Sequence, residues 1–207
     1  MSLIKLYGHP FSGHTHRVAL FLSIIELGYD NMFADLAGEE RRQTPFMALN
    51  PAGQIPVLVD GQTIIPDSNS ILIYLAQTYA KHQDWLPKHP QQFASVNRYL
   101  SLASGSLADG STTVPLFTLF NAPHGAIETN GTSHDYLAFI DSQLENNDWL
   151  VASRPTLADI TQYSNIVHTS EGKADLSAYS NIKHWLHNVE SLRGFIPVQD
   201  SAVGLAA

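Results

Sequence analysis

The apolar positions of the first eighty residues switch between two periods. Leu3 to Tyr7 is an apolar run of strand length, and a Gly8-His9-Pro10-Phe11 loop follows it. From Ser12 the spacing becomes helical: Val18, Phe21, Leu22 and Ile25 recur at helix intervals, with Gly28 as the expected stop. Tyr29 to Leu36 reads as a second strand. Thr44-Pro45 sets a cap before a first-turn proline, so Phe46, Met47 and Leu49 fall on one short helix. Val57-Leu58-Val59 and Thr63-Ile64-Ile65 flank Asp60-Gly61, which predicts a hairpin. Asp67-Ser68 then caps a helix carrying Ile71, Leu72, Tyr74 and Leu75. The predicted order is β-α-β, a short helix, then β-β-α.

The texture changes after Lys81 to Pro90, a stretch with two prolines around Trp85-Leu86-Pro87. This divides the chain into a first domain over residues 1–80, a linker over 81–90 and a second domain over 91–207. Phe93, Val96, Tyr99, Leu100 and Leu107 predict a long helix. Tyr136, Leu137, Phe139, Ile140 and Leu144 mark another, Ile160, Tyr163, Ile166 and Val167 a third, and Ile182, Trp185, Leu186 and Val189 a fourth. The second domain therefore reads as all helical. Val114 to Gly131 is irregular, and no internal repeat or low-complexity segment interrupts the chain. Asn130-Gly131-Thr132 fits a glycosylation acceptor, but with no secretion leader it is read as a turn.

Composition narrows the chemistry. The 207 residues contain no cysteine, which excludes a disulfide framework, thiolate zinc sites and a cysteine nucleophile. Charged residues are 14%, apolar ones 44%, and the net charge is −8. Those values describe a folded chain large enough to bury a core, and an acidic one that nucleic acid would repel. No apolar run reaches the ~20 residues of a membrane span, so a cytoplasmic protein with no membrane partner is expected.

Candidate chemistry lies at loops and helix starts. Ser12 opens a helix, where free N–H groups stabilise an anion and a hydroxyl can hydrogen-bond a thiolate; it can equally be a plain cap. Pro56 precedes a strand and admits a cis bond, which would turn the Ile55 backbone toward an extended ligand; an ordinary trans loop proline is the alternative. Asp67 beside a helix start could receive an ammonium, and Ser68 a carboxylate, unless both simply cap. Arg41 and Arg42 stand out because residues 1–80 hold four cations against seven acids; they are solvated surface or carboxylate ligands. His9, His14 and His16 cluster in sequence, yet their spacing suits no metal motif, and no metal is expected.

Together these segments resemble the glutathione S-transferase family. Tyr7-Gly-His-Pro-Phe-Ser12 followed by His16-Arg17-Val18 is similar to its serine-type, phi- or theta-like members. Asn50-Pro-Ala-Gly-Gln-Ile-Pro56-Val-Leu, Asp67-Ser68-x-x-Ile71-x-x-Tyr74-Leu75 and Thr156-Leu157-Ala158-Asp159-Ile160 resemble three further family segments, in the family's order. In the last, Thr156 and Asp159 form a capping box, although Ser153-Arg154-Pro155 replaces the usual glycine-acid pair before it.

The resemblance implies an α/β thioredoxin-like N-terminal domain and an all-α C-terminal domain. It further implies glutathione as co-substrate, a hydrophobic small-molecule electrophile, and a homodimer. Ser12 would hydrogen-bond the glutathione sulfur. Gln54, the Ile55 backbone and a cis Pro56 would hold the cysteinyl part. Asp67 and Ser68 would hold the γ-glutamyl end, and Arg41 and Arg42 the glycyl carboxylate. Phe11, His14, Leu116, Phe117, Leu119 and Phe120 would line the electrophile pocket, or belong to the core. Tyr7 and Thr15 are rival hydroxyls for the sulfur. The expected function is conjugation of glutathione to hydrophobic electrophiles; the alternative is a non-catalytic glutathione-binding or regulatory protein of the same fold.

Overall fold

A computed structural model describes residues 4–34, 44–104, 130–171 and 175–199. The elements are β1 (Ile4–Gly8), α1 (Gly13–Ile24), β2 (Tyr29–Phe33), α2 (Thr44–Leu49), β3 (Val57–Asp60), β4 (Thr63–Pro66) and α3 (Ser68–Thr78). Four further helices follow: α4 (Pro90–Ser104), α5 (Asn130–Gln143), α6 (Leu157–Glu171) and α7 (Ser180–Glu190). The sheet order is β2-β1-β3-β4. β1 pairs parallel with β2 and antiparallel with β3, which pairs antiparallel with β4. This is the thioredoxin-like arrangement followed by a helical part that the resemblance implied.

Most predicted elements form, with instructive differences. α1 stops at Ile24, and Glu26 at φ 55°, not Gly28, takes the left-handed position after it. The second strand ends at Phe33, short of Leu36. Asn130-Gly131-Thr132 is the backbone of the first turn of α5 and not a turn between elements. Phe93, read as part of the apolar face of α4, is 44% exposed. It stands in the first turn of that helix beside the Trp85-Leu86-Pro87 segment, one turn before the buried stripe of Val96, Tyr99, Leu100 and Ala103 begins.

One hydrophobic core runs through both halves. Ile4 and Leu6 of β1 and Leu58 of β3 are buried with Val18, Phe21 and Leu22 of α1 and Ile71, Leu72 and Leu75 of α3. Burying side chains of this kind contributes roughly 1.5–3 kcal/mol each. Leu157, Ile160 and Tyr163 of α6 and Trp185 of α7 continue the same cluster. Trp85, between α3 and α4, meets Phe21 edge-on at 5.4 Å, and its carbonyl accepts from Leu157 N–H at 2.9 Å.

The start of α6 forms one half of the predicted capping box: Asp159 takes the Thr156 N–H, while Thr156 Oγ1 accepts from Ala158 N–H at 3.3 Å and not from Asp159. Asp159 Oδ2 accepts from Thr156 N–H at 2.8 Å and from the Thr156 hydroxyl at 3.0 Å. Its Oδ1 accepts from Leu150 N–H at 2.9 Å and from the Trp185 indole at 3.0 Å. Burial pushes its pKa above the ordinary carboxylate value, and those four donors oppose the shift.

Candidate functional site

The strand register brings the predicted segments together. Tyr7 of β1 pairs with Val57 of β3, and Val57 pairs with Pro66 of β4. In that row β1 is one residue from its end, β3 begins and β4 ends. The chain leaving β1 leads to Ser12, the chain entering β3 carries Gln54, Ile55 and Pro56, and the chain leaving β4 supplies Asp67 and Ser68. Three loops distant in sequence therefore meet at one rim of the sheet.

Local packing fixes the first loop. Gly8 lies so close to Thr15 that a Cβ there would collide with the Thr15 side chain. Thr15 Oγ1 accepts from His9 N–H at 3.2 Å, and His9 Nδ1 accepts from Phe11 N–H at 3.1 Å. Thr15 is thereby a buried support of the loop. Ser12 is the N-cap of α1 in extended backbone, φ −91° and ψ 117°, and its Oγ accepts from Thr15 N–H at 3.3 Å. The capping reading of Ser12 is thus a fact of the geometry. It does not exclude chemistry: a hydroxyl that accepts a hydrogen bond still has a proton to donate, and no acceptor for it lies among the described residues.

Asn50 shapes the second loop. Its Oδ1 accepts from Ala52 N–H at 3.1 Å and its Nδ2 donates to Gln54 C=O at 2.8 Å. Gly53 takes a left-handed φ of 64°. Gln54 is exposed, Ile55 is half-buried, Pro56 is buried, and the Ile55–Pro56 peptide is cis.

The third loop ends at Asp67, the N-cap of α3, whose Oδ1 accepts from Ser70 N–H at 2.8 Å. Asp67 holds φ at 81°, a region costly for a side chain bearing Cβ and found where the surroundings over-determine the backbone. Ser68 Oγ lies 3.0 Å from His14 Nδ1 and 3.5 Å from Arg17 Nη1. The starts of α1 and α3 are therefore joined through Ser68.

Behind them lies Arg17, fully buried. Its guanidinium also donates to Asn69 Oδ1 at 3.3 Å and to Asn165 Oδ1 on α6, while Nε has no partner. Burial brings its pKa down to about 10, against the opposing pull of Asp67, so it stays charged near neutrality. In the sequence Arg17 and Asn50 stand only as parts of motifs, with no role given, and Asn69 is not singled out. A signal existed for Arg17: it stands three and four residues before Leu20 and Phe21, on the face the helix buries.

The other predicted residues take varied places. The Phe11 and His9 rings meet at 5.2 Å, tilted by 51°, and Tyr7 lies 6.3 Å from Phe46. The three histidines point to different partners: His9 to Phe11 and Phe33, His14 to Ser68, and His16 to Ser164 Oγ at 2.9 Å and Ile196 C=O at 3.0 Å. Arg41, Arg42, Leu107, Leu116, Phe117, Leu119 and Phe120 lie outside the described residues. No helix among the described residues is long and apolar enough to cross a membrane.

Known proteins match most of the chain. The sequence profile of the "Glutathione S-transferase, N-terminal domain" matches residues 6–83, and that of the "Glutathione S-transferase, C-terminal domain" matches residues 116–192. Glutathione S-transferase 3 of Zea mays is 30% identical over 166 residues, which are 77% of this chain and 75% of the relative. The crystal structure of a glutathione S-transferase from Pseudomonas fluorescens is 28% identical with a TM-score of 0.85, covering 96% of this chain and 100% of that one. A delta-class glutathione transferase from Nilaparvata lugens is also 28% identical, with a TM-score of 0.84 over 92% of this chain and 90% of its own. With both domains matched and the fold shared, this chain belongs to the glutathione S-transferase family.

Proposed function

We propose that this transferase is a serine-type enzyme, phi- or theta-like, that adds the thiolate of glutathione to small hydrophobic electrophiles. The observation that carries the reading is the Tyr7–Val57–Pro66 row, where the loops bearing Ser12, Gln54 to Pro56 and Asp67-Ser68 converge. Glutathione has two carboxylates, an ammonium group and a thiol. The rim offers a hydroxyl at a helix start, an exposed amide at Gln54, backbone groups at Ile55 and an acid at Asp67. Each is complementary to one part of the tripeptide.

In this reading Ser12 is the catalytic residue. Its Oγ accepts from Thr15 N–H and donates its own proton to the sulfur, so the helix start polarises the hydroxyl that stabilises the thiolate. Lowering the thiol pKa by two units takes about 2.7 kcal/mol, within reach of one hydrogen bond to an anion plus the field of a helix terminus. Gln54 and Ile55 align the cysteinyl backbone in an extended form, Asp67 receives the ammonium, and Ser68 belongs to the carboxylate end. Arg41 and Arg42 hold the glycyl carboxylate. Phe11, with Leu116, Phe117 and Phe120, forms the apolar side where the electrophile lies, and His14 stands at the junction of the two. The working unit is a cytoplasmic homodimer.

The test is the ultraviolet absorbance of bound glutathione against pH. Thiolate is expected well below the pKa of free glutathione in the wild type. In Ser12→Ala the titration should move back toward the free value, turnover should fall about a hundredfold, and glutathione affinity should change little. If bound thiol titrates as it does in water, the catalytic reading fails and a non-catalytic glutathione-binding protein is left. Unchanged turnover in Ser12→Ala would move the role to Tyr7, since Thr15 is buried beneath the loop.

A further inference from the structure

The chain leaving α7 runs back along α1, from the end of that helix toward its start. Arg193 pairs with Glu26, just past the end of α1, at 2.7 Å. Gly194 lies against Ser23 in left-handed backbone at φ 82°, where a Cβ would collide with the Ser23 carbonyl oxygen. Ile196 then reaches His16, its C=O accepting from Nε2 at 3.0 Å. A carbonyl can only accept, so the imidazole proton is on Nε2, and Nδ1 takes the hydroxyl of Ser164 on α6 at 2.9 Å. Between these contacts Phe195 meets the Tyr163 ring of α6 edge-on at 5.5 Å. The Arg193–Glu26 pair is exposed and contributes little to the hold. The grip of the segment on α1 rests on Gly194 and His16.

His16 is also one helical turn from Ser12. Its backbone N–H donates to Ser12 C=O at 2.8 Å, and the neighbouring Thr15 N–H holds Ser12 Oγ. The buried imidazole thus ties the turn that carries the cap to α6 on one side and to the C-terminal segment on the other. We infer that His16 and residues 193–196 position the Ser12 hydroxyl, holding the first turn of α1 where Oγ meets the glutathione sulfur; this rests on the Ser12 reading above. Misplacing a reacting group by about 1 Å can cost about a hundredfold in rate, even when the change lies far from the chemistry. Gly194 sits at the opposite end of α1 from Ser12, so a change there reaches the thiol only through the segment and the helix.

The test reads the titration of bound glutathione from its thiolate absorbance, together with kcat and the KM for glutathione. His16→Ala is expected to move the titration up by about one pH unit and to lower kcat about tenfold, with KM changed less than about twofold. His16→Gln, whose amide N–H can still reach Ile196 C=O, should recover most of both losses. Gly194→Ala should shift the thiol in the same direction by a smaller amount. The double variant should go no further than His16→Ala, because both substitutions release the same hold. Should His16→Ala not fold, Gly194→Ala decides alone. A thiol titration unmoved in Gly194→Ala and in every His16 variant that folds, with only thermal stability reduced, overturns the proposal. So does a His16→Gln enzyme as impaired as His16→Ala. A wild-type thiol that titrates as it does in water sinks the Ser12 reading itself, and this assignment falls with it.

Discussion

Two helix starts use the same device to opposite ends. At α6, Asp159 is fully buried and its two oxygens receive four donors, from Leu150, Thr156 twice and Trp185. At α1, Ser12 is half-exposed, its oxygen receives one N–H, and its proton has no acceptor among the described residues. The first cap is saturated and serves the fold. The second retains hydrogen-bonding capacity on the side where two other loops converge. Residue type alone does not separate a structural cap from a reactive one, whereas unfilled donor or acceptor capacity does.

The contrast can be broken by substitution. Asp159→Ala should have the largest effect on stability. It leaves two buried N–H groups, a hydroxyl and an indole N–H without an acceptor, and a loss of about 3 kcal/mol or more in chemical denaturation is expected. A loss below about 1 kcal/mol would mean that this cap is not structural. Ser12→Ala should cost only about 1 kcal/mol, the ordinary value of an N-cap, while its effect on turnover is far larger. Were the stability loss to match that of Asp159→Ala, Ser12 would be a fold residue like its counterpart.

A smaller effect comes from His16, which holds α1 to α6 and to the chain after α7. Burial lowers its pKa from the ordinary 6.5, with hydrogen bonds to the Ile196 and Pro197 backbone partly opposing and Arg17 adding to the shift. The folded state therefore binds a proton less readily than the unfolded chain. Its contribution to stability is whole above about pH 6.5 and declines as pH falls below that value toward the folded pKa. Urea midpoints measured between pH 7.5 and 5 should fall more in the wild type than in His16→Gln. Parallel declines in the two proteins would show that His16 is not the group being protonated.

Legibility in the sequence followed the range of the interaction. Asp67 caps α3 over three residues and the Thr156 N–H reaches Asp159 over the same distance, so both were readable. The β3–β4 hairpin and the buried stripe of α3 were readable for the same reason. Glu26 in place of Gly28 was not, because the left-handed position is set by where α1 leaves its core, and an acidic residue tolerates it beside Arg193 at 2.7 Å. Phe93 misled because helical period marks a face without marking how far along the helix the core extends. The burial of Arg17 could be read from its helix face, but what it and His16 touch could not. Their partners Asn165 and Ser164 lie 148 residues away, and only the packing of α1 on α6 brings them together. At the site, the order of the loops was visible, but their convergence required the register of β1, β3 and β4.

Trp85 has a bearing on how the chain comes apart. Its ring leans on Phe21 of α1 and its carbonyl holds the first N–H of α6, so one residue of the α3–α4 connection is wedged against both helices. Opening either half withdraws one of its two supports. Melting of the sheet layer and of the helical layer should thus be a single cooperative event, with the amides of Phe21 and Leu157 exchanging their hydrogens for solvent at a common rate. The α3–α4 connection then works as a rivet, not a hinge.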